Sequence, residues 1–140
     1  MIMQDSHTDS DLKKFYSMKN IAVVGMSGTE GKAANYVPQY MIEQGYNIIP
    51  VNPNSPQIMS RRSYQTTSAI PENVQIVNVF RPSKDVPDVV KDALKKDGVK
   101  LIWMQEGIYS KEAEDLALAR GIDVVYNRCM MVEHKRLFGD

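Results

Sequence analysis

The chain has 140 residues, 43% of them hydrophobic and 24% charged, which is typical of a globular protein with one core. Its 17 basic residues balance 17 acidic ones, so no general attraction to nucleic acids or membranes is expected. The single cysteine excludes an internal disulfide. With no signal-peptide pattern and no apolar run near the ~20 residues of a membrane span, the sequence predicts a cytoplasmic protein.

The N-terminal segment is polar and acidic. We predict that residues 1–9 are flexible and that residues 10–140 form one folded domain. Asp9 or Ser10 is expected to cap a short first helix.

Five short apolar segments follow, and each lacks the polar alternation of a half-exposed strand. Between them lie segments with helical periodicity, three of which end at a glycine. Asn35 is predicted to cap the helix after the first strand, with Pro38 in its first turn, and the tail 127–140 is predicted to be irregular or a short edge strand. The predicted strands are Asn20–Val24, Asn47–Val51, Val74–Phe80, Lys100–Met104 and Ile122–Tyr126.

This alternation of buried strands and helices predicts an α/β fold with a doubly wound, five-stranded parallel sheet in the order 3-2-1-4-5. Ligands of such sheets bind beyond the carboxyl ends of the strands, beside the first strand. Four segments are expected to meet there: Gly25–Lys32, Asn52–Asn54, Phe80–Ser83 and Gln105–Tyr109.

The segment Ile21–Lys32 is a buried strand that ends in a loop with three glycines and a lysine, a pattern typical of phosphate binding. An ATP-binding P-loop has four residues between its glycines and a Ser or Thr after the lysine. Here five residues separate Gly25 from Gly31, and Ala33 follows Lys32.

A dinucleotide-binding loop has the pattern Gly-x-Gly-x-x-Gly and an acidic residue after the second strand, whereas this chain has wider glycine spacing and Asn52. Coenzyme A instead needs backbone amides for its pyrophosphate and cations for its additional 3′-phosphate. The candidates for these roles are Ser27, Lys32 and Arg81, with Arg61 and Arg62 in addition.

Several motifs resemble those of the small stand-alone CoA-binding proteins of the YccU-like group. Their Rossmann-like domain is similar to the CoA-binding part of succinyl-CoA ligase α subunits and of ADP-forming acyl-CoA ligases. The family has glycine and lysine in the loop after the second strand, where this chain reads Met-Ser-Arg-Arg-Ser at residues 59–63. The matching segments are Ile21–Ser27, Gly45–Tyr46, Ile49–Pro53, Val79–Arg81, Ile102–Gln105 with Gly107, Asn127–Cys129 and Val132–His134.

The resemblance implies that a cleft at the carboxyl ends of the strands binds CoA or an acyl-CoA, without ligase activity, because the related ligases use additional domains for that chemistry. A protein partner or a homo-oligomer stays open. In this cleft Gly25, Met26, Ser27 and Lys32 would meet the pyrophosphate, Asn52 and Pro53 would border the adenosine, and Arg81, Gln105 and Gly107 would complete the wall.

Two other functions stay open at this stage. One is a small NAD(P)- or CoA-thioester-dependent enzyme that uses Cys129 or His134, although five residues apart these share a face of neither a helix nor a strand. The other is a nucleotide-sensing regulatory subunit. No catalytic residue and no metal site are predicted, since no His, Cys, Asp and Glu cluster has metal-ligand spacing.

Overall fold

Five α-helices and seven strands follow one another along residues 4–139, the part of the chain that this computed structural model describes. Residues 1–3 of the predicted flexible segment, and residue 140, lie outside that part. The strands are β1 Asn20–Val24, β2 Asn47–Val51, β3 Gln57–Ile58, β4 Arg61–Arg62, β5 Ile76–Val79, β6 Leu101–Met104 and β7 Asp123–Val125. The helices are α1 Asp9–Phe15, α2 Ala33–Glu43, α3 Val86–Ala93, α4 Lys111–Leu118 and α5 Met130–Phe138.

Five of the strands form one parallel sheet in the order β2-β1-β5-β6-β7, and helices cover both of its faces. One apolar layer contains the inward faces of α1, α2 and α5, and the other contains those of α3 and α4. Alternate residues of β1 enter the two layers, so Ile21 and Val23 pack on one side and Ala22 and Val24 on the other. The predicted α/β class and the doubly wound, five-stranded parallel sheet are confirmed.

The third strand of this sheet, β5, lies beside β1, whereas the predicted order placed it beside β2. Val24 of β1 pairs with both Val51 of β2 and Val79 of β5. Tyr64 occupies the outer edge of β2, because its N–H donates to the Pro50 carbonyl at 3.0 Å and it bridges Val51. With that edge covered, the chain crosses to the other side of β1, and the switch point lies between β1 and β5.

Helix α2 begins earlier than predicted, so Pro38 lies in its interior and Asn35 is not its cap. A proline there cannot donate to the carbonyl four residues before it. That carbonyl, of Ala34, instead accepts the N–H of Ser27 at 3.0 Å, and the Asn35 side chain donates to the Ser27 carbonyl at 2.8 Å. The start of α2 is thereby tied to the glycine loop.

The C-terminal tail is helical over most of its length, so the prediction of an irregular segment or edge strand was wrong. Two residues of its inward face, Glu133 and His134, are polar. They interrupt the apolar stripe by which an amphipathic helix is recognised in a sequence. Distant groups position the helix: the Gln105 side chain accepts the Met130 N–H at 3.0 Å, and the Tyr16 hydroxyl donates to the Met130 carbonyl at 2.6 Å.

The N-terminal segment, predicted to be flexible over residues 1–9, makes specific contacts from Asp5 onward. Thr8, rather than Asp9 or Ser10, caps α1 in a capping box with Asp11. The carboxylate of Asp5 accepts Arg128 Nε at 2.9 Å, and Arg128 also donates to the carbonyl of Asp5 at 3.0 Å. These contacts attach the segment to the start of α5.

Candidate functional site

The switch point brings the ends of β1 and β5 into close contact at Gly25. This residue has a φ of +86°, and a Cβ there would lie 3.2 Å from the Phe80 carbonyl oxygen and 3.3 Å from Cδ of Arg81. Its N–H donates to the Val51 carbonyl at 2.9 Å. Only glycine fits both this backbone conformation and this approach, so Gly25 joins the ends of three adjacent strands.

A cavity of about 330 Å³ lies over these strand ends, and four of the predicted site residues line it: Gly25, Asn52, Pro53 and Arg81. The remaining lining residues are Val24, Val51, Asn54, Gln65 and Phe80. Arg81 is the single charged residue of this lining. Its side chain is 49% exposed, and its guanidinium donates to Asp85 at 3.0 Å. An exposed i,i+4 ion pair of this kind is weak, so an anionic ligand can compete for the guanidinium.

Asn52 and Met26 hold the loop together from inside. The Asn52 side-chain amide donates to the Met26 carbonyl at 2.9 Å, and its oxygen accepts the Asn54 N–H at 2.8 Å. Met26 is fully buried in the core and is not among the lining residues of the cavity, so it supports the loop from inside. Asn52 therefore links the loop after β1 to the loop after β2 while its outer surface lines the cavity.

Ser27 and Lys32 lie on the remainder of the glycine loop. The Ser27 N–H already donates to Ala34, and its hydroxyl accepts the Thr29 N–H at 3.0 Å. Lys32 is exposed and is the N-cap residue of α2, with no side-chain capping bond. The first N–H groups of a helix have no partner within it, so the groups suited to an anion here are those at the start of α2 and the Lys32 ammonium.

Gln105 and Gly107 lie outside the lining of this cavity. Gln105 is buried and its side-chain oxygen caps α5, while the Gly107 N–H donates to the Asn127 side chain at 2.7 Å. Both groups are used in joining the loop after β6 to the start of α5. That region borders a separate cavity of about 380 Å³, which Glu106 and Cys129 help to line.

The sequence reading did not single out Gln65 and Tyr64, which follow the β3–β4 hairpin. Gln65 lines the cavity of Gly25 and Arg81 and also an adjoining cavity of about 550 Å³, which Tyr64 helps to line. Neither residue belongs to a recognisable motif. Their position depends on the return of the chain along the edge of β2, which leaves no signal in the local sequence.

Cys129 and His134, the candidates of the enzyme hypothesis, do not form a hydrogen-bonded pair in residues 4–139. Cys129 is the N-cap residue of α5. His134 is buried, and its Nδ1 lies 2.7 Å from the Tyr40 hydroxyl. Aromatic rings surround the imidazole, among them those of Tyr16 and Tyr46. His134 thus has the environment of a core residue.

The buried imidazole predicts a pH dependence of stability. Burial, with a smaller effect of the Lys19 ammonium, lowers the pKa of His134 below its ordinary value of 6.5. Below about pH 6.5 the unfolded chain then binds a proton that the folded chain does not, so the free energy of unfolding should fall with falling pH. Urea titrations from pH 7.5 to 5.5 should show this slope, and a His134→Gln variant should reduce it. Equal slopes in both proteins would contradict the assignment.

Between residues 4 and 139 no helix is long and apolar enough to cross a membrane. The same residues contain no group of three or more His, Cys, Asp or Glu side chains that could hold a metal ion.

Comparison with known proteins places these features in a family. Residues 19–135 match the CoA binding domain family. The chain is 34% identical over 116 residues to an uncharacterised protein of Bacillus subtilis, YneT, covering 83% of this chain and 85% of that one. The structure of a hypothetical protein from Pyrococcus horikoshii superimposes with a TM-score of 0.93 at 37% identity, covering 99% of each chain.

A longer relative is the ADP-forming acetate–CoA ligase II of Archaeoglobus fulgidus. The two are 31% identical over 110 residues, which cover 77% of this chain and only 16% of the ligase. The match with the family extends from the residue before β1 into α5 and therefore includes every strand and the whole candidate site. The chain belongs to the CoA-binding domain family.

Proposed function

We propose that the protein binds coenzyme A or an acyl-CoA over the carboxyl ends of β1, β2 and β5. The observation that carries the proposal is the cavity at the switch point, which Gly25 lines and in which Arg81 is the single charged lining residue. In this arrangement the pyrophosphate lies near Gly25 and Arg81, and we propose Lys32 as a further contact from the start of α2. The adenosine lies against Asn52 and Pro53.

The local chemistry favours CoA over NAD. A dinucleotide-binding protein has a carboxylate after its second strand to accept the ribose hydroxyls. Asn52 occupies that place, and both its amide nitrogen and its amide oxygen are engaged in the loop. An uncharged side chain whose amide is already held by the loop is less suited to the ribose hydroxyls of NAD than a carboxylate.

We further propose that the chain binds its ligand without ligase activity and delivers or reports it to another protein or to a second copy of itself. The region shared with the acetate–CoA ligase is 16% of that enzyme, and Cys129 and His134 are not arranged as a nucleophile and base. A reducing compartment suits the free Cys129, so we place this role in the cytoplasm.

Thermal unfolding with CoA, acetyl-CoA, NAD, NADP and ATP tests the proposed ligand. A ligand at 100 times its Kd adds about 2.7 kcal/mol of stability, which for a chain of this size raises the Tm by roughly 10 °C. We expect this shift with CoA or acetyl-CoA. A shift with NAD and none with either CoA compound would contradict the proposal.

Arg81→Gln tests where the ligand binds. Loss of one charge-assisted hydrogen bond should weaken CoA binding by roughly 10- to 100-fold, measured by calorimetry. Arg120→Gln is the matched control, because Arg120 is also exposed but lies after α4, before the amino end of β7. Equal affinities of the Arg81 variant and the wild type would show that the ligand lies elsewhere.

A further inference from the structure

A second cavity, of about 550 Å³, adjoins the cavity at the switch point. The two share the residues Asn52, Pro53, Asn54 and Gln65, so they are open to the same ligand on either side of the loop after β2. Arg62 is the single charged residue that lines the second cavity, and no carboxylate lines it. One cation surrounded by neutral groups favours an anion.

The β3–β4 hairpin decides which of the two neighbouring arginines faces this cavity. Gln57 pairs with Arg62, and Ile58 pairs with Arg61. Adjacent residues of a strand point to opposite faces, so the two guanidinium groups leave the hairpin on different sides. Arg61 lines another cavity together with two carboxylates, those of Glu30 and Glu43, which disfavour an anion there.

An aromatic ring lies beside the Arg62 guanidinium. Its Cζ lies 5.1 Å from the centroid of the Tyr64 ring. Within residues 4–139 no carboxylate lies within ion-pair distance of it, in contrast to Arg81, which contacts Asp85. A stacked guanidinium without an ion-pair partner keeps its hydrogen-bond donors available for a phosphate and loses little side-chain freedom on binding one.

We propose that Arg62 determines specificity for the 3′-phosphate of the CoA adenosine, an inference that rests on the proposed function. Arg81 and Arg62 line two cavities that meet at Asn52 and Pro53. CoA likewise carries two anionic groups on the ribose of its adenosine, the pyrophosphate at the 5′ position and the phosphate at the 3′ position. With the pyrophosphate beside Gly25, the second group reaches the cavity of Arg62, whose planar guanidinium can donate two hydrogen bonds to it.

Binding of CoA and of dephospho-CoA, which lacks only the 3′-phosphate, tests this assignment. Calorimetry at one fixed salt concentration would give the Kd of each ligand for the wild type, Arg62→Gln and Arg61→Gln. We expect the wild type to prefer CoA by roughly 10- to 100-fold, the effect of a charge-assisted phosphate contact. Arg62→Gln should weaken the binding of CoA by that factor and leave the Kd of dephospho-CoA unchanged. Arg61→Gln should change neither Kd.

The outcomes separate this inference from the proposed function. If Arg62→Gln weakens both ligands equally, or neither, while the wild type binds CoA, the assignment of Arg62 fails and the CoA site stands. If the wild type binds neither ligand, the proposed function fails and the assignment fails with it. Arg62 is exposed, so a Tm of the free variant equal to that of the wild type would show that its fold is intact. An Arg62→Lys variant, which keeps the charge without the planar fork, should recover part of the preference for CoA.

Discussion

A Gly25→Val variant should lose CoA binding and about 2–4 kcal/mol of folding free energy. The φ of +86° is unfavourable for a β-branched residue, and the added side chain would meet the Phe80 carbonyl 3.2 Å from its Cβ. Relief of this contact requires β1 and β5 to separate at the point where the cavity forms. Urea unfolding measures the loss of stability, and calorimetry with CoA measures the loss of binding.

Gly28→Ala is the matched control for this variant. Gly28 lies in the same loop, no atom lies within 4 Å of a Cβ built on it, and its φ is outside the left-handed region. The substitution should change the free energy of unfolding by no more than about 0.5 kcal/mol, as is usual for an open surface position. If Gly25→Val is as stable as Gly28→Ala, the ends of β1 and β5 do not approach each other as closely as described.

Replacement of Arg128 should cause the second large loss of folding stability, about 3–5 kcal/mol for Arg128→Met. Its guanidinium contacts Asp5 at 2.9 Å and Glu133 at 2.6 Å, and the carboxylate side chains are only 2% and 12% exposed. Burial acts to raise the pKa of Glu133, but hydrogen bonds from Arg136 and Arg128 outweigh it, and the pKa lies below its ordinary value. Without Arg128, two buried carboxylates would lose this partner. Urea titration at pH 7 measures the effect.

Arg136→Met provides the comparison. Arg136 also contacts Glu133, at 3.1 Å, but its side chain is 44% exposed. Its replacement should therefore lower the free energy of unfolding by less than about 1 kcal/mol. A Glu133→Gln substitution in the Arg128→Met background should recover part of the lost stability, because it removes one of the two carboxylate charges that Arg128 no longer compensates. Similar small losses for both arginine variants would show that Asp5 and the N-terminal segment are not held against α5.

Features that depend on residues close together in the sequence were predicted well. The apolar segments without polar alternation form the strands of the parallel sheet, as predicted. Gly25, Asn52, Pro53 and Arg81 follow three strands that became adjacent in the sheet, so they line one cavity. In a parallel sheet the carboxyl ends of all strands lie at one edge, whatever the strand order. These four residues were therefore predicted to lie together correctly, although the predicted strand order differs from the observed one.

Several contacts that the sequence did not predict depend on partners far away in sequence. Gln105 has the position of a ligand contact, but the N–H of Met130 engages its side-chain oxygen. In the tail, polar Glu133 and His134 interrupt the apolar stripe, and α5 forms where Gln105 and Tyr16 bind its first turn. In each case a buried polar group needs a hydrogen-bond partner. Tertiary packing, and not the local sequence pattern, determines which group that partner is.

By itself the sequence determined the α/β class, the succession of strands and the loop after β1, because periodicity, glycine positions and apolar runs act over a few residues. Tertiary structure alone decided that Tyr64 covers the edge of β2, that β5 therefore lies beside β1, and that Arg62 and Arg61 face different cavities. These features arise from hydrogen bonds and packing between distant segments, and such contacts form only when the whole sheet is assembled.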